Sequence, residues 1–145
     1  MLKSIGIGTE LFHVLIENDC YYVDKTPFIR TVFKENKAAV LLITRPRRFG
    51  KTLTMSTFCD FLSLSADHPG DVSLQEKWFK DKEFCSEFMG RFPVIFISLK
   101  AVSGNDFISA YGRLVSVVYD MYSQFRYLAD SSKLSTDEIA EYKLY

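Results

Sequence analysis

Apolar residues recur every three or four positions in several stretches of this chain, the spacing that predicts amphipathic helices. The clearest stripe runs from Asn105 to Leu128 and predicts a long helix with one face in the core. Shorter patterns predict helices just before Asn18, from Pro27, within residues 73–89 and from Ser135, where Ser-Thr-Asp-Glu has the spacing of a capping box.

Two apolar runs lack this helical spacing and predict buried strands. Ala38–Ile43 consists of six apolar residues without polar alternation, which is typical of a strand buried on both faces. Val94–Leu99 follows Pro93 and predicts a second buried strand, and Tyr21–Val23 is a short β-prone run. Helically spaced apolar residues from Leu53 to Leu64 come after the first strand. The order is therefore buried strand, polar turn and helix.

The polar turn, residues 44–52, reads Thr-Arg-Pro-Arg-Arg-Phe-Gly-Lys-Thr and ends like a phosphate-binding loop. A helix N-terminus attracts phosphate through unpaired N–H groups and the positive end of its dipole. Gly50 would let the backbone approach, Lys51 would contact the β- and γ-phosphates as the catalytic candidate, and Thr52 would reach Mg²⁺. The predicted nucleotide-binding residues are Arg45, Pro46, Arg47, Arg48, Phe49, Gly50, Lys51, Thr52 and Leu53.

One position departs from the general motif, which has a glycine where this chain has Arg45. Arginine tolerates a positive φ poorly, so the first part of the loop is not expected to copy the usual nest of N–H groups. The alternative interpretation is that Gly-Lys-Thr is an ordinary turn; the strand before it and the helix after it favour phosphate binding. The Tyr21–Pro27 stretch upstream either flanks the base of the nucleotide or is structural, and the sequence leaves both open.

Three segments resemble the bacterial AAA-ATPase-like family: Tyr21–Thr26, Leu41–Thr52 and Phe92–Lys100. The family's own loop is similar, so Arg45 departs from the general motif but not from the family. The resemblance implies an α/β fold, a P-loop NTPase-type parallel sheet with flanking helices, with ATP and Mg²⁺ as cofactors. It implies that 1–145 is the N-terminal portion of one domain, with a pre-P-loop segment (1–37), strand, loop and helix (38–64), and a second strand with helices (65–145).

The resemblance also implies a protein that couples Mg-ATP binding and hydrolysis to an associated domain, often a PD-(D/E)XK nuclease-type domain. Hydrolysis needs a carboxylate for Mg²⁺ and another for the attacking water, usually at the end of an apolar strand. No such strand follows Thr52, so we expect this domain to be truncated at its C-terminus. On that expectation, the chain alone would bind nucleotide weakly, hydrolyse none measurably, and aggregate through unpaired strand edges.

Charge, hydropathy and the cysteine and histidine positions limit the partners, location and metal sites to expect. The formal net charge is zero, which gives no general argument for nucleic acid or membrane as partner. No apolar run is long enough for a membrane span and no signal pattern opens the chain, so a cytoplasmic location is expected. The cysteines, Cys20, Cys59 and Cys85, have no metal-binding spacing and are interpreted as small hydrophobic residues, and His13 and His68 as surface or structural histidines.

Two alternatives to ATP binding remain at this stage. Arg45, Arg47, Arg48 and Lys51 place four positive charges within seven residues, so the loop could belong to a non-catalytic module that contacts nucleic acid or another partner. GTP could replace ATP, because no residue that reads the base is recognisable.

Overall fold

Helices form the regular structure of this protein over residues 3–35, 40–64 and 79–144, which its computed structural model describes. The α-helices there are α1 (Phe12–Glu17), α2 (Pro27–Arg30), α3 (Lys51–Leu62), α4 (Lys82–Phe88), α5 (Phe107–Gln124) and α6 (Thr136–Leu144). A π-helical turn (Thr31–Glu35) continues α2, and a 3-10 helix (Arg126–Asp130) follows α5. The chain divides into two compact units, Met1–Val94 and Ile95–Tyr145.

The helices predicted from the sequence are confirmed, with local signals that explain their ends. Pro27 is the first residue of α2, and in the turn before it the Asp24 carboxylate accepts hydrogen bonds from the Thr26 amide (2.9 Å) and hydroxyl (2.7 Å). Ahead of α6 the capping box is present: Ser135 N donates to Glu138 Oε2 (2.8 Å), and Glu138 N donates to Ser135 Oγ (3.3 Å). The predicted loop 65–70, with His68, and residues 73–78, with Trp78, lie outside the described residues.

Phenylalanine side chains dominate the core of the first unit. The Phe61 ring of α3 is 4.7 Å from the Phe79 ring, edge to face, and 5.2 Å from the Phe84 ring of α4, stacked. Such ring pairs add stability beyond the apolar area that they bury. The buried cluster consists of Phe12, Ile29, Phe61, Leu62, Phe79 and Phe84. The second half of α3 therefore lies in the centre of this unit.

Hydrogen bonds join α1 to α3 beside this core. Phe12 N donates to Ser56 Oγ (2.9 Å) and His13 N donates to Asp60 Oδ2 (3.0 Å), so side chains of α3 satisfy two amides in the first turn of α1. His13 Nδ1 also lies 3.1 Å from Asp60 Oδ1. Asp60 is only 5% exposed, and these contacts compensate its burial. The structural interpretation of His13 is confirmed.

The carboxyl end of α3 is held by backbone hydrogen bonds to a segment that follows α4. Gly90 N donates to Phe61 O (2.9 Å), Phe92 N to Leu62 O (3.0 Å), and Leu64 N to Phe92 O (3.1 Å). Ser63 and Phe92 form an isolated parallel bridge. We call these three bonds the 90–92 clasp.

The two runs predicted as buried strands are not buried strands in the described residues. Residues 40–43 and 94–99 contain no strand, Val40 is 84% exposed and Leu42 is 81% exposed. A buried strand needs partners for its N–H and C=O groups, and the bridges found in the described ranges involve only Ser4 with Cys20 and Ser63 with Phe92. Residues 38 and 39 lie outside those ranges, and the parallel sheet stays a prediction.

The long helix of the second unit is confirmed as a helix, but its predicted burial is wrong. No residue of α5 is buried, and Phe107 at its start is 80% exposed. Helical spacing specifies a face, whereas burial depends on what packs against that face. Asp106 caps the helix by accepting a hydrogen bond from Ser109 N (2.8 Å), and this bond holds the pKa of the Asp106 carboxyl below its usual value.

The cysteines behave as the sequence indicated. Cys20 and Cys59 are buried, Cys85 is half-buried, and all three are free thiols. In the part of the chain that the structure describes, no group of three or more His, Cys, Asp or Glu side chains could hold a metal ion. None of the described helices combines the length and apolarity that a membrane span requires.

Candidate functional site

The motif loop enters α3 through two residues in the left-handed region. Gly50, the N-cap of α3, has φ 73° and Arg48 has φ 68°. Glycine adopts this conformation without a steric penalty, whereas an arginine there is strained. Arg45, where the general motif has glycine, is not among the described residues with positive φ. The turn is therefore made at the end of the loop, next to the helix.

Lys51 closes the loop from the first residue of α3. Its Nζ donates hydrogen bonds to Arg45 O (2.6 Å) and Pro46 O (3.0 Å). One ammonium group thus joins the start of the loop to its end, five and six residues apart in sequence. The Gly50 carbonyl accepts from both the amide and the hydroxyl of Thr54, each at 2.9 Å, which fixes the first turn of the helix.

A cavity of about 460 Å³ opens beside this loop in the first unit. The described residues that line it include three cationic ones, Lys25, Arg45 and Lys51, and one acidic one, Asp24. Asp24 Oδ1 already accepts two hydrogen bonds from Thr26. The excess of positive charge at the cavity, in a chain of zero formal net charge, favours an anionic ligand.

The same cavity has an apolar wall. Pro27, Phe28, Ile43 and Phe49 contribute to it. The Phe28 ring packs edge to face on the Phe58 ring of α3, with centroids 5.9 Å apart, and this contact holds its position. Apolar walls combined with a few convergent polar groups are characteristic of small-molecule sites. A ligand with an aromatic part and an anionic part would match both sides.

The predicted loop residues do not all lie at this cavity. Arg45, Phe49 and Lys51 line it, Gly50 forms the turn beside it, and Pro46 contributes a carbonyl to Lys51. Leu53 packs against the aromatic core instead. The remaining predicted residues are exposed and are not among those that line the cavity: Arg47, Arg48 and Thr52.

Several cavity residues are not among those predicted from the sequence. They are Asp24, Lys25, Pro27, Phe28, Ile43 and Thr54. The signal that could have found three of them was the Tyr-Tyr-Val-Asp-Lys-Thr-Pro stretch, whose place beside the nucleotide the sequence left open, and Phe28 follows that stretch directly. The other two are neighbours of the motif, one on each side.

Of these additional residues, Lys25 places a charged group beside the motif loop. Its Nζ lies 3.5 Å from Phe49 O, and 3.2 Å from the position that a Cβ on Gly50 would occupy. Its backbone amide donates to the Tyr22 hydroxyl (3.1 Å), and the Tyr22 ring packs edge to face on buried Phe12 at 5.2 Å. Burial raises the pKa of Tyr22, so its hydroxyl stays protonated at neutral pH.

The second unit contains a larger cavity, of about 540 Å³, that involves no residue of the motif. Tyrosines and two cations dominate its lining: Tyr119, Tyr122, Ser123, Arg126, Ala129, Tyr142, Lys143 and Leu144. The Tyr142 hydroxyl donates to Tyr122 O (2.7 Å), which joins α6 to the end of α5. Size alone does not make it the functional site, since the loop chemistry lies in the first unit.

Comparison with known proteins gives a family and one distant relative. The family model described as "Predicted AAA-ATPase" matches residues 6–143. A protein of Azotobacter chroococcum mcd 1, described as "Uncharacterized protein in vnfD 5'region", is 30% identical over 97 residues, or 66% of this chain. The match covers 17% of that relative, so the chain spans a small part of its length. No solved structure is significantly similar to this chain.

Proposed function

Because this chain belongs to the predicted AAA-ATPase-like family, we propose that its first unit binds Mg-ATP at the cavity beside α3. The observation that carries the proposal is the placement of the Gly50-Lys51 turn, at the start of α3, on a cavity lined by three cations. The proposed role is nucleotide binding in a protein whose ATP hydrolysis drives an associated domain.

Phosphate binding rests on the start of α3 and on Lys51. The first amides of the helix have no intrahelical acceptor and point toward the loop side, where a phosphate oxygen can accept from them. The Lys51 ammonium can leave the Arg45 and Pro46 carbonyls for phosphate oxygens, because a charged acceptor makes the stronger hydrogen bond. Gly50 keeps the turn free of a side chain at the point of closest approach.

The apolar wall supplies a place for the base. Phe28 and Phe49 offer aromatic surface and Pro27 an aliphatic ring. Such surfaces accept a purine without reading its edge, so we propose ATP as the ligand on family grounds rather than from a base-specific contact. A non-hydrolysable GTP analogue, titrated into wild type beside the ATP analogue, compares the two bases.

We propose Mg²⁺ as a companion of the nucleotide on family grounds. Mg²⁺ is usually held by one or two protein groups together with substrate phosphates and water. Thr52, in the first turn of α3, is the residue that the loop motif assigns to it, although its exposed side chain does not line the cavity in this structure. When bound, the metal neutralises phosphate charge. Among the described residues, Asp24 is the one carboxylate that lines the cavity.

The proposal is tested by calorimetric titration of a non-hydrolysable ATP analogue into wild type and Lys51→Ala. We expect the variant to bind about 10- to 100-fold more weakly, the loss of one charge-assisted contact. Lys82→Ala is the matched control, because Lys82 is likewise the first residue of its helix and is exposed away from the cavity. Binding by Lys51→Ala as tight as by wild type would contradict the proposal.

A further inference from the structure

We propose that Lys25 is a second phosphate-binding lysine of this cavity, acting with Lys51 although it lies far from the loop motif in sequence. The inference rests on the proposed function and adds a residue to the same site. Its ligand class is a nucleoside di- or triphosphate, and its contact is with the β- or γ-phosphate.

The geometry places the two lysines on different parts of one loop. Lys51 Nζ bonds Arg45 O and Pro46 O, at the start of the loop. Lys25 Nζ lies by Phe49 O at the end of the loop, next to Gly50. Both lysines line the cavity, and both ammonium groups contact carbonyls of the loop that leads into α3. A phosphate received by the first amides of α3 would lie close to both.

Lys25 comes from a segment that the structure fixes firmly. Tyr22, whose ring packs on Phe12, accepts from the Lys25 amide, and Asp24 bonds Thr26 on the other side of it. Its backbone position is therefore determined on both sides, while the exposed side chain extends to the loop. Fixing the backbone of a binding residue lowers the entropy that is lost when its side chain contacts a ligand.

The contact to Phe49 O is long, and this favours a binding role over a purely structural one. At 3.5 Å it is weaker than the 2.6 Å bond of Lys51 to Arg45 O. A lysine at that distance from a neutral carbonyl loses little when it turns to a phosphate oxygen, and gains a charge-assisted bond. Gly50 leaves space for this movement, since a Cβ there would lie 3.2 Å from Nζ.

The test compares Lys25→Met, Lys25→Arg, Lys51→Met and Lys3→Met for binding of ADP and of a non-hydrolysable ATP analogue. Lys3 is the matched control, an exposed lysine of the same unit that pairs with Asp19 at 2.9 Å and does not line the cavity. We expect Lys25→Met to weaken binding of the ATP analogue about tenfold and to flatten the salt dependence of that binding, because one charge is lost. A β-phosphate contact weakens ADP binding equally, whereas a γ-phosphate contact leaves ADP binding unchanged. Lys25→Arg should retain most of the affinity, and Lys3→Met all of it.

The outcomes distinguish failure of the Lys25 proposal from failure of the proposed nucleotide binding. If wild type binds and Lys51→Met does not, while Lys25→Met binds like wild type, the second lysine is disproved and the proposed function stands. An unchanged salt slope in Lys25→Met would also overturn the inference, since a merely structural lysine would weaken binding without changing the charge at the phosphate. If wild type shows no saturable binding, both proposals fail. Circular dichroism of each variant without nucleotide confirms that it is folded.

Discussion

Helices α3 and α5 contrast in how their sequence patterns relate to their burial. The more regular apolar stripe belongs to α5, yet none of its residues is buried. In α3 apolar residues mix with Ser56, Thr57 and Asp60, yet the second half of the helix, Ser56 onward, is mostly buried. The difference teaches that periodicity predicts a helix and its apolar face, whereas partners decide burial. In α3 the partners are aromatic rings and polar groups of other elements.

The largest expected effect comes from removing one ring in each helix. Phe61→Ala should lower the free energy of unfolding by about 3–5 kcal/mol, because Phe61 is 1% exposed and its loss leaves a cavity among Phe79 and Phe84. The same change at exposed Phe107 of α5 should cost about 0.5 kcal/mol or less. Urea unfolding followed by circular dichroism measures both. Similar losses in the two variants would show that the contrast in burial is wrong.

An aspartate in each helix provides a second, smaller test. Asp60→Ala should lower the free energy of unfolding by about 2 kcal/mol, because His13 N and Ser56 Oγ lose an acceptor in a buried place. Asp60→Asn should cost less, since the amide oxygen can still accept. Asp120→Ala, in the middle of exposed α5, is the matched control and should change stability by about 0.5 kcal/mol at most. A cost at Asp120 equal to that at Asp60 would remove the distinction between the helices.

Substituting one glycine at each helix gives the smallest expected change in stability, and the two changes should have opposite signs. Gly50→Ala should cost about 1 kcal/mol, because alanine is strained at φ 73° and its Cβ would lie 3.2 Å from Lys25 Nζ. Gly112→Ala in α5 should stabilise by about 0.5–1 kcal/mol, since the new Cβ meets no described atom within 4 Å beyond its chain neighbours and the backbone of its own helix, and alanine favours helix. Thermal unfolding measures both shifts. Shifts of the same sign would contradict the geometry of one of the two positions.

Helix positions could be predicted from the sequence because their signals are local. Pro27 and the Ser135–Glu138 capping box each act within a few residues, and the structure places helix starts there. The predicted strands depended on pairing partners elsewhere in the chain, which local patterns do not identify. The apolar run at Val40–Ile43 illustrates this, because its composition fits a buried strand while the described residues provide no segment to pair with it.

The candidate site was predictable only in its contiguous part. Gly50 and Lys51 carry a recognisable motif, because phosphate binding needs a turn and a cation next to a helix start. Lys25 reaches the same turn from a distant segment, and its approach depends on Tyr22 packing against Phe12. Tertiary packing of this kind leaves no spacing rule in the sequence, so the sequence left the role of this stretch open and the structure brings Lys25 to the turn.

The 90–92 clasp has a consequence for the order in which this protein folds. Helices α3 and α4 form from contacts between near neighbours in the chain, which can arise within microseconds. The clasp joins Phe61, Leu62 and Leu64 to a segment beyond α4, so chain entropy must be lost before its three bonds form. We therefore expect the clasp to close after both helices exist. The helix that begins at the Gly50-Lys51 turn would then acquire its final orientation late, from contacts at its opposite end.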